Sequence, residues 1–370
     1  MKDTLRYDLR QSESFPMLNL YFSNKRNLIF FISLFLLVIL YLLQFDNRIS
    51  EGGDDASFLM EAYHYSKGTS FPSFHGYFYI MFLGWIIKLT GFNLILLKGF
   101  SFVFLAGYLF FTYLTFRNRI SPLLLTSLLL FISFSGGIAF FGSQTYTEAF
   151  YMFLQSVLFY LFFQLLDSGT DKGRIISQYW ITFLLTGFIL FALSATRNIG
   201  LIALIVVLFV LIIKKRYWAS IYTAASFLLF KSIYELYKRF VWNISSADLQ
   251  SQFSTMLQKN PYNKAFGNET FGGLIKRFFY NLDFYLSKVF FEEMGFKSSG
   301  NSFISILITA SILVILLLGL WFAIRNKKWV WQVVIIYLIA SLGVTFISVG
   351  QVLCIPGKSK LQIRLGTFLK

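Results

Sequence analysis

Nine stretches of this chain, 27–45, 94–116, 121–141, 148–166, 179–196, 199–213, 217–236, 302–324 and 329–349, are mostly apolar. A helix needs about 17 to 25 such residues to cross a bilayer. Backbone amides cannot stay unpaired in hydrocarbon, so each stretch is expected to be helical. The expected fold class is therefore all-α, a polytopic membrane protein of about nine transmembrane helices. With 56% of residues apolar, 20% aromatic and only 14% charged, the composition excludes an ordinary water-soluble domain.

The net charge of +16 invites a nucleic-acid reading, but the placement of the charges removes it. Lys2, Arg6, Arg10, Lys25 and Arg26 precede the first stretch, and Arg117, Arg119, Lys172, Arg174, Lys214, Lys215, Arg216, Arg325, Lys327 and Lys328 stand at alternate ends of those that follow. By the positive-inside rule these ends are cytoplasmic. No nucleic-acid partner is expected; the partners of such a surface are membrane lipids. The first stretch lacks a small-residue cleavage signal and reads as an uncleaved helix. A single cysteine, Cys354, excludes an internal disulfide framework.

The segment 75–92, "HGYFYIMFLGWIIKLTGF", is long enough to be a tenth crossing. A crossing there would move the clusters at Arg117, Lys172 and Lys214 to the opposite side, so it is expected to lie at the outer surface, with Tyr77, Tyr79 and Trp85 at headgroup level. The resulting organisation is a cytoplasmic tail 1–26, a membrane module 27–236 with an outer loop 46–93, a large outer loop 237–301, and C-terminal helices with an outer tail over 302–370. The loop 237–301 holds "LIKRFFYNLDFYLSKVFFEEMGF", expected to roof the outer face as an amphipathic helix.

On that outer side the polar residues converge. The loop "EGGDDASFLMEAYHYSKG" is followed by "GSQTYTE" at 142–148, "SATRNIG" at 194–200 and the tail after Pro356. Polar and charged groups at membrane depth are costly, so their convergence on one face marks a site by default. Asp54 is expected to cap a helix whose stripe of Asp54, Phe58, Glu61 and Tyr65 faces inward, with Leu59, Ala62 and Tyr63 against lipid. Capping alone also accounts for Asp54, and Asp55 suits the positive end of a helix dipole. Lys98 reads equally as a side chain reaching the interface, Glu148 as an acid opening a helix, and His75 as a satisfied interfacial residue. Arg197, in a very short turn on the outer side where arginine is less expected, points to a phosphate rather than to a plain interfacial anchor.

The order of a first helix, "GDDASFLMEAYHYSKG" and "FPSFHGYFYI" resembles the G-D-E-A-x-Y and H-P-P-L-Y arrangement of GT-C fold, lipid-phosphosugar-dependent glycosyltransferases, the superfamily of the protein O-mannosyltransferases and the aminoarabinose transferases of lipid A. "GFNLILLK" is similar to its G-x-x-x-x-x-x-R with Lys98 in place of arginine, "YTEAFYMFLQSVLFYLF" to its S/T-E-P-L helix at Glu148, "LSATRNIGLIAL" to its L-x-T-R-P-x-G at Arg197, and "QIRLGTFLK" to a late H-x-R-Y at Arg364. Gly76 and Tyr77 replace its two prolines, Asn198 a third, and Leu365 a tyrosine.

The resemblance implies a multi-pass enzyme, in a bacterial inner membrane, that moves a sugar from a polyprenyl-phosphate donor to a lipid, glycan or protein acceptor. Its site then faces the periplasm. Transfer requires a base for the acceptor hydroxyl and cations for the departing phosphate. Asp54 is the expected base, with Asp55 tuning it. Lys98, Arg197 and Arg364 are expected at the donor phosphate, and His75, Glu148 and Glu61 at the substrate. Zinc is disfavoured by the lack of a His/Cys set, while a magnesium or manganese ion at Asp54 and Asp55 stays open. The rival readings are a lipid-linked saccharide transporter and a polysaccharide polymerase.

Overall fold

The computed structural model describes residues 21–49, 53–72, 76–167, 172–244, 257–259, 266–289, 302–326 and 328–347. Thirteen α-helices and one π-helical turn (Tyr285–Val289) make up most of them, and no strand occurs among the described residues beyond one isolated bridge between Gln258 and Asn268. In chain order these are α1 (Arg26–Gln44), α2 (Asp54–Ser66), α3 (Tyr77–Thr90), α4 (Leu94–Phe116), α5 (Pro122–Phe134), α6 (Gly136–Ser143) and α7 (Thr147–Asp167). Then follow α8 (Lys172–Thr196), α9 (Gly200–Ile213), α10 (Tyr217–Trp242), α11 (Phe271–Phe284), α12 (Ser302–Arg325) and α13 (Trp329–Ile347).

Six helices are long and apolar enough to cross a membrane, namely α1, α4, α7, the Tyr179–Thr196 part of α8, the Ile304–Arg325 part of α12, and α13. The chain is thus a polytopic helical membrane protein. Large apolar side chains on its outside, among them Phe31 and Phe35 on α1 and Ile315 and Leu317 on α12, are more than half exposed and require lipid around them.

The expected span 121–141 is a broken pair, α5 and α6, bent by 54°. Its sequence explains the break. Pro122 occupies the first turn of α5 behind the Ser121 cap, and Ser135 starts α6 by accepting a bond from Ile138 N, ahead of Gly136 and Gly137. A second cap followed by two poor helix formers resets the axis. Two other expected spans differ from the long helices: α9 is short at 14 residues, and α10 is 26 residues long with Glu235, Lys238 and Arg239 near its end.

Ring contacts give the directions. Phe104 meets Phe150 at 4.7 Å and Phe116 meets Phe163 at 6.1 Å, so α4 and α7 run parallel. Phe183 on Tyr222 and Phe191 on Tyr234 make α8 and α10 parallel as well. In contrast α1 opposes α4, with Phe30 on Tyr113 and Tyr41 on Phe102, and α7 opposes α13 through Phe163 and Trp329. Helix ends therefore collect at two faces. One is basic: Arg26 lies against Arg117, Arg119 pairs with Asp167, and Arg216 Nη1 donates to Leu165 O at 2.7 Å. The other gathers the ends at Asp46, Asp55, Lys98, Glu148 and Arg197.

The parallel helices α8 and α10 pack closely at Gly187, where an added Cβ would stand 2.3 Å from Ser226 Cβ and 2.7 Å from Phe227 N. Relief there requires backbone to move. Gly187→Val is expected to destabilise the bundle by about 3 kcal/mol. Equilibrium unfolding in mixed micelles measures it, and an unchanged midpoint would show that α8 and α10 pack more loosely.

Candidate functional site

Helix α2 opens the site. Gly53 supplies its extended N-cap without a side-chain bond, Asp54 is the first helical residue and is exposed, and Asp55 is fully buried. Asp54 therefore does not cap, which corrects the sequence expectation; it lies inside the first turn, where its charge faces the positive helix end. Asp55 Oδ1 accepts from Ala56 N at 2.9 Å. The buried stripe of α2 is Asp55, Phe58, Leu59, Ala62 and Tyr65; Phe58 and Tyr65 face inward as expected, whereas Asp55 is buried in place of Asp54, and Leu59 and Ala62 are buried rather than against lipid. Leu59 and Ala62 turn inward because α3 folds back over α2, with its Gly84 against Tyr65 and the Ala62 carbonyl. Glu61 is half-buried beside that stripe.

Lys98 lies one turn into α4 and has no exposed surface. Its Nζ donates to the carbonyls of Asp46 at 2.5 Å and Arg48 at 2.6 Å, and it lies within electrostatic reach of the Asp46 and Asp55 carboxylates. Two of its three donors are thus engaged in tying the end of α1 to the start of α4. This places Lys98 as a brace beneath the site, with one N–H left over.

Glu148 and Arg197 come together. Arg197 Nη1 donates to Glu148 Oε1 at 2.6 Å, and Thr147 Oγ1 donates to Oε2 at 3.3 Å. Glu148 opens α7, and Arg197 follows α8 in the turn to α9. Both are partly exposed, 26% and 42% at the side chain, so the pair borders solvent and remains accessible to an anion. The π-turn after α11, Tyr285–Val289, brings Tyr285 within electrostatic reach of Arg197. Helix α11 is held there by Asn281 Nδ2, which donates to Phe346 O at the end of α13 at 2.8 Å, and by Asp283, which accepts from Ser305 and Thr309 of α12.

Gly76 joins these parts. It has φ +80°, and an added Cβ would stand 3.0 Å from both Thr147 Cγ2 and Thr196 O. The chain thus passes from α2 to α3 between the residues that precede Glu148 and Arg197. Only glycine adopts this left-handed geometry without cost. Gly76→Ala is expected to cost about 2 kcal/mol, read as a lower thermal midpoint; an unchanged midpoint would mean the turn relaxes freely.

Sequence reasoning missed the centre of the site as a chemical residue. Tyr79 on α3 is fully buried, and its hydroxyl feels the charges of Glu148 and Asp55. Burial pushes its phenol well up, so it stays a neutral donor. Ser101, one turn beyond Lys98, lies within interaction range of Tyr79, yet neither hydroxyl makes a hydrogen bond of ordinary geometry. Gln144 and Thr145, in the polar "GSQTYTE" loop, likewise bury side-chain oxygens without a bond. Tyr79 was expected at headgroup level beside Tyr77 and Trp85 and is instead fully enclosed, while Trp85 is exposed, because α3 folds back over α2 and turns the Tyr79 face of the helix inward. Ser101 sits inside an apolar run and gave no sequence signal, and Gln144 and Thr145 were signalled only by their polar neighbours.

His75 and Arg364 lie outside the described residues. Among the described residues no three His, Cys, Asp or Glu side chains approach one another closely enough to hold a metal ion. Among the described residues Asp54 and Asp55 therefore have no third His, Cys, Asp or Glu beside them with which to hold a magnesium or manganese ion. What the residues offer is an exposed carboxylate, an accessible guanidinium with an acidic partner, and a buried polar floor. The chain matches no family model, and no curated protein or solved structure is similar to it.

Proposed function

We propose that this protein is a membrane glycosyltransferase of the GT-C type, moving a sugar from a polyprenyl-phosphate donor to an acceptor hydroxyl with inversion at the anomeric carbon. One observation carries the reading: acids and cations from four separate sequence motifs lie at one end of the bundle, with Asp55 and Glu148 both within electrostatic reach of Tyr79, Lys98 within reach of Asp55, and Arg197 paired with Glu148. In the proposed reaction the acceptor oxygen bonds to the anomeric carbon while the bond to the phosphate oxygen breaks. The electron pair leaves on the lipid phosphate. The acceptor proton passes to the Asp54 carboxylate, and Arg197, aimed by Glu148, neutralises the developing phosphate charge as a planar fork. Lys98 contributes charge from below, and Asp55 fixes the start of α2. Arg364 completes the phosphate contacts, and His75 and Glu61 the substrate contacts.

In this reading nine crossings form when α9, α10 and the α5–α6 pair are added to the six long helices, and α2 and α3 are surface helices of the first outer loop. Charge placement supports a site on the non-cytoplasmic side, which in this reading is the periplasmic face of a bacterial inner membrane. The test is mass spectrometry of lipids, glycans and glycoproteins from cells lacking the gene, together with transfer by the purified protein in nanodiscs. Loss of a hexose- or pentose-sized unit from one class, restored by the protein and a polyprenyl-phosphate sugar, supports the proposal. Passage of an intact lipid-linked saccharide without transfer would make it a transporter, and transfer of whole oligosaccharide blocks a polymerase.

A further inference from the structure

A polar cavity lies at the other end of the bundle from the proposed site. It measures about 340 Å³ and is lined by Ser23, Asn24, Arg26, Asn27, Tyr113, Arg117 and Asn118. That size suits a small ligand group. Its lining holds two arginines and no acid. Arg26 Nη1 donates to the Arg117 carbonyl at 2.6 Å and reaches Asn118 Oδ1 at 3.4 Å, which satisfies an orphan carbonyl at the end of α4. Its Nε is buried without a partner. Arg117 itself rests over the Tyr113 ring, 5.8 Å from the centroid, while Tyr113 donates to Asn27 Oδ1 at 2.5 Å.

Two guanidinium groups at one cavity repel each other unless an anion lies between them, and the matching anion for planar forks is a phosphate. The position names the source. The cavity sits where α1 begins, and Tyr21, Leu28 and Phe31 beside it are exposed by 61%, 51% and 63%, facing lipid. A 19-residue apolar helix that starts at Arg26 sets that end at the headgroup boundary whichever way the protein faces. Unlike a general basic surface, the cavity places neutral amides of Asn24, Asn27 and Asn118 beside the two arginines, which suits a polar headgroup.

We propose that this cavity binds the phosphate of an anionic membrane lipid, with Arg26 and Arg117 on the phosphate oxygens and Ser23, Asn24 and Asn118 on the headgroup. The binding is independent of sugar transfer and stands or falls separately from it.

The experiment uses the full chain in nanodiscs of phosphatidylcholine with and without phosphatidylglycerol, and reads retained lipid by native mass spectrometry. The expected result is preferential retention of phosphatidylglycerol, lowered roughly tenfold by Arg117→Gln. Arg26 bonds the backbone carbonyl of residue 117, so that variant keeps the helix contact. Asn24→Asp, which adds an acid to the lining, is expected to cause the same loss in a protein that stays monodisperse. Equal retention by wild type and both variants overturns the proposal. So does a shift in melting temperature with inorganic phosphate, abolished by Arg117→Gln, in protein that retains no anionic lipid, because the ligand is then a soluble anion.

Discussion

Asp54→Asn is expected to lower sugar transfer by roughly 10²- to 10⁴-fold, the usual contribution of a general base. The substitution preserves shape and removes only the group that takes the acceptor proton. Because Asp54 is exposed on the first turn of α2 and Asp55 remains beneath it, the helix loses only a dipole interaction of about 0.3–1 kcal/mol. Folding should survive, and the loss should fall on kcat, measured with purified protein in nanodiscs beside a thermal midpoint. Passage of lipid-linked saccharide across the membrane should be unaffected. Transfer at the wild-type rate by Asp54→Asn would remove Asp54 from the chemistry.

Lys98→Met is expected to destabilise the protein by about 3–5 kcal/mol, the cost of leaving buried polar and charged partners uncompensated. Methionine fills similar volume but offers no donor. The carbonyls of Asp46 and Arg48 then lose their bonds, and buried Asp55 loses a nearby cation. Lys98→Arg should recover only part of this, since a planar fork does not fit a fully enclosed ammonium site. Thermal unfolding in detergent reads both variants. A midpoint within a degree of wild type for Lys98→Met would show that the α1 to α4 junction holds without the bond.

Much of the architecture was legible in the sequence because membrane-length apolar runs leave the backbone few options. Six expected spans correspond to long helices within a residue or a few at each end. The broken pair was harder to see, since the span criterion averages over the Ser135-Gly136-Gly137 interruption that a capping reading detects. On α2 the inward positions Phe58 and Tyr65 were readable, but the width of the buried face was not. The buried face depends on which neighbour arrives, and α3 came back over Leu59 and Ala62. The proximity of Glu148 and Arg197 was implied by their place at helix ends on one side, although their residues stand in different helices. The partners of Lys98 were not legible, because its acceptors are backbone carbonyls, which carry no sequence letter. Tyr79 stayed hidden for a related reason, as a tyrosine in an apolar run is ordinary core until its neighbours are known.

Neighbours that run in the same direction cannot zip up as a hairpin during synthesis. The chain has to send α5 and α6 back before α7 can join α4, and α9 back before α10 can join α8. Long-separated contacts of this kind form late, after the entropy of the intervening loop has been overcome. A nascent chain released from the ribosome with only α1 to α4 inserted therefore holds Asp55 and Lys98 at the membrane edge with nothing above them. Chaperones and quality-control proteases are expected to meet the protein in that half-built interval, before Glu148 and Arg197 have emerged to close it.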